Sequence, residues 1–108
     1  MKNKIILFYI PCANKAEASK LAKASLQEKL SSCANIYPID SSFSFKDKLE
    51  NVKENILLLK TLPSLAKKLK KLIKTNHSYE IPCILSYKVK VNKPYKLWMK
   101  EILNKPNI

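Results

Sequence analysis

Residues 33–61 read CANIYPIDSSFSFKDKLENVKENILLLKT, and how this stretch folds decides the rest. From Cys33 to Phe45 the chain has the composition of extended backbone. Pro38 interrupts it, and proline is tolerated within a strand only at a sheet edge or a bulge. Lys46-Asp47-Lys48 is the turn, with Asp47 among the residue types that accept a positive φ. Val52 to Thr61 is the returning strand. At roughly 3.3 Å per residue a thirteen-residue strand spans on the order of 43 Å. The apolar run at the N-terminal end, Lys4 to Ile10 (KIILFYI), covers only about half of that. The hairpin must therefore overhang its own sheet. A ribbon with unpaired edges needs a partner, and pairing with neighbouring copies in a closed oligomer supplies one.

Outward from the hairpin, the pattern alternates strand and helix. Lys4 to Ile10 is continuously apolar, as expected of a strand covered on both faces, and Pro11 ends it. Asn14 followed by Glu17 forms an N-cap with a capping box. The helix it opens is expected to run from about Asn14 to Ser31, with Ala18, Leu21, Ala22, Leu26 and Leu30 on one face. Pro63 suits the first turn of a second helix, whose stripe is Leu65, Leu69, Leu72 and Ile73. Asn76 is placed to stop it in a left-handed conformation. Pro82 to Val91 is the fourth strand. Asn92-Lys93-Pro94 opens a third helix, with Tyr95, Trp98, Met99 and Ile102 on one face. The order is βαββαβ plus a C-terminal helix, in one domain over residues 1–108. Right-handed crossovers give an antiparallel sheet in the order 4-1-3-2 with the first two helices on one face, an α+β, ferredoxin-like sandwich.

Composition narrows the functional classes. The 46% hydrophobic content excludes a disordered chain. No apolar run approaches the roughly 20 residues that span a bilayer, so no membrane partner is expected. The first apolar run is short for a signal peptide and lacks a cleavage site, which gives a cytoplasmic expectation. The net charge of +13 invites nucleic acid as a partner. All 21 basic residues are lysine, however, and arginine is the usual residue for bidentate phosphate and guanine recognition. There is also no glycine, and RNA-recognition sheets of this fold need glycines and central aromatics, whereas Phe43 and Phe45 fall on an edge hairpin. A nucleic-acid-binding module is thus the disfavoured alternative.

Cys12, Cys33 and Cys83 form no CxxC pair and no even set, so reduced thiols are the default. The stretch NHSYEIPCI, residues 76–84, gathers the only histidine with a tyrosine, a carboxylate and a thiol. The topology sends the end of the first strand (Cys12), the start of the fourth (Cys83) and the loop between (His77) toward one end of the sheet. Two thiols and an imidazole suit Cu(I) or Zn(II). Packing is the competing reading for each cysteine, and a helix C-terminus alone would favour a histidine at 77. Cys33 starts the second strand at the opposite end and would meet the others only across a subunit boundary. No glycine-rich loop, serine elbow or HExxH is present, and no enzymatic role is expected.

Four segments, in order, resemble the CutA divalent-cation-tolerance family over nearly the whole chain. Ser32 to Pro38 is similar to its ACxNIxP segment, Lys60-Thr61 to its KT, His77 to Pro82 to its HPYExP, and Tyr95 with Trp98 to its YxxW. The resemblance implies a homotrimer with hairpins exchanged between neighbours. It also implies binding of copper or another divalent metal, not needed for folding, in a response to metal ions. Cys33, His77, Cys83 and Cys12 are then the candidate metal ligands. A further reading is a small-molecule sensor holding its ligand in an intersubunit cleft through Lys60, Tyr79, Glu80 and Trp98. The chain departs from the family pattern at three places. Ser78 stands for the usual proline, Phe43 to Asp47 for YxWxG, and Cys83 for the glutamate of PEI.

Overall fold

The computed structural model describes residues 3–105. Four strands, β1 (Lys4–Cys12), β2 (Cys33–Phe45), β3 (Lys48–Thr61) and β4 (Leu85–Lys90), form one antiparallel sheet in the order β2-β3-β1-β4. Three helices accompany it: α1 (Lys15–Gln27), α2 (Ala66–Asn76) and α3 (Lys93–Leu103). Both the strand order and the α+β class match the pattern expected from the sequence. Ile6, Phe8, Ile10 and Cys12 alternate onto one face of β1 and pack with Leu57 and Leu59 against Ala18 and Leu21 of α1 and Leu69 and Ile73 of α2. The opposite face carries a smaller core in which α3 sets Met99 and Leu103 against Ile5 and Leu62.

The overhang is visible in the register. β1 pairs with β3 only from Asn55 to Thr61, whereas β2 pairs with β3 down to Phe45↔Lys48. The outer seven residues of β3, 48–54, therefore pair with β2 alone, about 23 Å of two-stranded ribbon. Its tip is a two-residue turn with positive φ at both Lys46 (50°) and Asp47 (64°), the hairpin conformation that glycine usually occupies. Pro38 sits on β2, an edge strand of the sheet, as its chemistry requires.

Several boundaries differ from the sequence expectation. α1 stops at Gln27, not Ser31, because Lys29 turns left-handed (φ 55°). The Lys29 N–H then bonds the Leu26 carbonyl (3.1 Å) and the Leu30 N–H the Ser25 carbonyl (2.9 Å), a Schellman motif with lysine in the glycine position. Leu26, expected on the buried face, is exposed. Asn76 is the last residue of α2 and is not left-handed; its side-chain amide donates back to the Leu72 carbonyl (2.8 Å). β1 continues through Pro11 to Cys12, because β4 ends its pairing at Tyr9↔Leu85 and leaves Pro11 on an open edge. β4 begins at Leu85, not Pro82, and Cys83 lies outside the strand. Trp98 is 43% exposed, so it is not a core residue of the protomer.

Candidate functional site

Where β4 has not yet begun, the edge of β1 is covered by the segment that follows α2. The His77 imidazole lies against it with its side chain fully buried. Nε2 is 2.9 Å from the Pro11 carbonyl, and Nδ1 accepts the N–H of Tyr79 at 3.1 Å. An Nδ1 that accepts carries no proton, so the hydrogen sits on Nε2 and is donated to Pro11. The imidazole thus stands in for the missing strand at that edge.

Glu17 closes the cluster from α1. Asn14 caps the helix by accepting the Glu17 N–H (2.8 Å), and the Glu17 carboxylate reaches back to the Ala13 N–H (2.9 Å) with one oxygen. Its other oxygen accepts the Ser78 N–H at 2.7 Å. The capping box has been extended into a clasp between α1 and the loop after α2. Burial pushes the Glu17 carboxyl upward, but hydrogen bonds from the Ser78 side chain and from the Ala13 and Ser78 backbone outweigh it, leaving it below the ordinary value. The approach of Glu17 to His77 Nδ1, 3.9 Å, is not an ion pair in this tautomer.

Two further groups complete this end of the molecule. The Tyr79 ring lies 4.8 Å from the imidazole, and its hydroxyl donates to Glu54 at 2.7 Å. Burial, then the bond to Glu54, raises the Tyr79 phenol. Cys12 is fully buried on the helix side, and burial, aided by the Glu17 and Glu54 carboxylates, pushes its thiol up to about 12.

The sequence-derived candidates fall into two groups. Cys12 and His77 come together, and Cys83 lies at the same end but exposed, lining a groove with Pro11, Tyr79 and Glu80. Cys33 is at the far end, opposite Lys60, whereas Cys12 is opposite Asn55. Five residues of β3 separate these positions, about 17 Å. The proposed cleft set divides in the same way. Lys60 Nζ lies 4.0 Å from Cys33 Sγ and over the Tyr95 ring, which meets the Trp98 ring at a tilt, while Tyr79 and Glu80 are with Glu54. Within one protomer Lys60 does not reach Glu80. Glu17 and Glu54 were not singled out as site residues from the sequence. Glu17 is legible in the sequence only as a cap, and nothing marks Glu54, which stands between Lys53 and Asn55 in the polar half of its strand.

With that geometry in place, similarity to known proteins becomes specific. A family profile described as CutA1 divalent ion tolerance protein matches residues 6–102. The chain belongs to the CutA1 divalent ion tolerance family. The rice chloroplastic protein CutA 1 is 34% identical over 97 residues, covering 88% of this chain and 55% of that protein. The divalent-cation tolerance protein CutA of Pyrococcus horikoshii is 34% identical over 98 residues, covering 90% of this chain and 96% of the other. The solved structure of the periplasmic CutA from Archaeoglobus fulgidus superposes with a TM-score of 0.89 at 31% identity, over 93% of this chain and 99% of that one. The chain spans about half the length of the plant and animal relatives it matches.

The family description implies a divalent ion, and among the described residues one three-donor cluster has the necessary proximity. Donor atoms of Cys12, Glu17 and His77 lie within 4.8 Å of one another. Sulfur, oxygen and nitrogen suit a transition metal, but the donors are already committed. Both imidazole nitrogens and both carboxylate oxygens have hydrogen-bond partners, and the thiol is held protonated. This cluster does not fit a resident ion; it fits a clasp. The clasp has a pH signature. A carboxyl depressed in the folded state contributes stability that is present above its unfolded value, near 4.5, and is lost as pH falls through the lower folded value. Glu17→Gln should therefore cost about 1–2 kcal/mol at pH 7 and flatten the acid limb below about pH 4.5. Urea titrations at a series of pH values measure both; parallel acid limbs in the two proteins would refute the assignment.

Proposed function

We propose that the chain acts in divalent-cation tolerance as a cytoplasmic homotrimer, a binding protein rather than an enzyme. The observation that carries this reading is the overhanging ribbon. It projects beyond β1 with Phe43, Phe45, Leu49 and Val52 all exposed, Leu49 at 73%. The sheet face opposite α1 and α2 also leaves Tyr37, which pairs with Ile56, and Tyr87, which pairs with Leu7, half-exposed. Apolar surface of that extent on a monomer calls for a partner, and a cyclic assembly that pairs ribbon edges covers it without leaving an open strand.

Metal binding in this reading falls to thiols that solvent or a neighbouring copy reaches. Cys83 is exposed and Cys33 is half-buried beside Lys60. Both are soft donors suited to copper. The two lie at opposite ends of one protomer, so a shared ion would join ends contributed by different copies. Free thiols at 12, 33 and 83 suit a reducing compartment.

The test combines mass and metal. Light scattering should give three copies for the wild type, and Leu49→Lys with Phe45→Lys should yield folded protomers. An anaerobic Cu(I) competition titration should lose at least about tenfold in affinity with Cys33→Ser or Cys83→Ser while the trimer persists. A monomeric wild type would overturn the assembly. Copper affinity unchanged by both cysteine substitutions would overturn the thiol assignment.

A further inference from the structure

The helical side of the sheet concentrates positive charge, and neither the clasp nor the assembly accounts for it. Five of the eleven residues of α2 are lysines, Lys67, Lys68, Lys70, Lys71 and Lys74, and all five are exposed. Lys67, Lys71 and Lys74 stand in a row at i, i+4 and i+7, opposite the buried Leu69 and Ile73. α1 packs alongside and adds the exposed Lys20 and Lys23. We infer that this face docks on the phosphate backbone of a nucleic-acid duplex without reading its sequence.

The arrangement costs α2 stability on its own terms. Like charges repel at i,i+4, as Lys67 does with Lys71 and Lys70 with Lys74. Lys67 and Lys68 put cations in the first turn, where the helix dipole favours acids and no acid stands. The sequence has no acid between Glu54 and Glu80. Among the described residues none of the five lysines has an ion-pair partner; Glu80 shares a hollow with Lys70 and Lys74 but pairs with neither. Four of the eight acids, Asp40, Asp47, Glu50 and Glu54, sit instead on the hairpin. A row of cations without counter-charges gains from a polyanion that supplies them together and sheds its own counterions.

The surroundings select the polyanion. Over the roughly 10 Å of helix from Lys67 to Lys74, one strand of a duplex presents about three phosphates, one for each lysine of the row. The strongly exposed aromatic rings among the described residues, Tyr37, Phe43, Phe45, Tyr87 and Trp98, lie on β2, β4 and α3. With no such ring on α1 or α2 to stack on an unpaired base, the face suits a duplex over a single strand. α2 also exposes no large apolar side chain to enter a lipid interface. The missing arginine and glycine count against reading bases, not against holding phosphates, for which lysine serves as a point charge. The assembly proposed above uses the ribbon and the opposite sheet face, so docking here does not depend on it.

The experiment measures fluorescence anisotropy of a labelled random-sequence DNA duplex against the protein in its native oligomeric state, over a series of salt concentrations. The logarithm of affinity should fall against the logarithm of salt with a slope of about −3 to −5, equally for unrelated sequences. Lys67→Gln, Lys71→Gln and Lys74→Gln together should flatten that slope by about 2–3 and weaken low-salt binding at least about tenfold. The same three positions changed to arginine should keep the wild-type slope. Glutamine at Lys90, Lys93 and Lys100, which removes the same net charge elsewhere, should weaken binding less than about threefold. Circular dichroism should show the α2 glutamine variant at least as stable as the wild type, because like-charge pairs have been removed. Equal losses in the two glutamine variants would overturn the inference, since net charge alone would then explain binding. So would no binding at low salt, tighter binding of the single strand than of the duplex, or sedimentation with phosphatidylserine vesicles in the absence of duplex binding, which would assign the face to a lipid surface.

Discussion

Replacing His77 by alanine should lower the unfolding free energy by about 3 kcal/mol, although position 77 lies in a loop. The imidazole is fully buried and satisfies the Pro11 carbonyl and the Tyr79 N–H at once. Alanine removes both partners and leaves a void beneath the Tyr79 ring, which lies 4.8 Å from the imidazole centroid. Two orphaned backbone groups cost about 1 kcal/mol or more each, and the void adds its own term. His77→Gln, which retains one donor and one acceptor but places both at the end of a flexible side chain where they match only one ring nitrogen, should recover about half of the loss. Urea unfolding followed by circular dichroism measures the three proteins. A loss under about 0.5 kcal/mol for the alanine variant would mean that water replaces the imidazole at no cost, and the clasp would then be ornamental.

That outcome bears on why some of this molecule was legible in its sequence and some was not. The strand order followed from local signals that reinforce one another: the apolar run in β1, the Asn14 cap, Pro63 before α2 and the length of the ribbon. Each is a property of neighbouring residues. The boundaries failed where a residue acted against its usual habit. Lys29 took the left-handed position because the chain has no glycine to offer there, and α1 ended early. Asn76, the residue type suited to such a position, stayed helical and used its side chain instead.

The site was legible in part for a related reason. Topology alone brought Cys12 and His77 to one end of the sheet. Spacing did not reveal what their side chains touch, because Glu17 is 60 residues from His77 in sequence and Glu54 belongs to a different strand. A capping box reads identically whether its carboxylate ends at the helix or extends to a second segment. Only the bond from the Ser78 N–H to Glu17 distinguishes a clasp from an ordinary cap. The consequence is functional. A histidine that looks like a metal ligand in the sequence is the pin holding Tyr79, and Tyr79 in turn holds Glu54 at the base of the groove.

The three cysteines should separate by orders of magnitude in reactivity, and their order reports the same architecture. In a native-state titration with an aromatic disulfide near pH 8, Cys83 should react first and Cys33 more slowly, while Cys12 should react only on unfolding. Exposure sets the first two ranks. For Cys12, a thiol pushed from 9 up to about 12 has about a thousandfold less thiolate at that pH, before any steric exclusion is counted. The same shift makes a claim about stability. A group whose folded pKa is raised contributes stability that is fully present below its unfolded value, here 9, and is lost as pH rises through about 12. Over that window the loss is on the order of 3–4 kcal/mol, with Tyr79 adding a component of the same sign at higher pH. Cys12→Ala should lower stability at neutral pH by opening a small void, yet flatten the alkaline limb between pH 9 and 12. Mass spectrometry of the labelled sites checks the order, and denaturation at stepped pH checks the limb. If Cys12 labels within about tenfold of Cys83, the end of β1 opens without global unfolding, and the clasp of Glu17, His77 and Ser78 does not hold that edge closed.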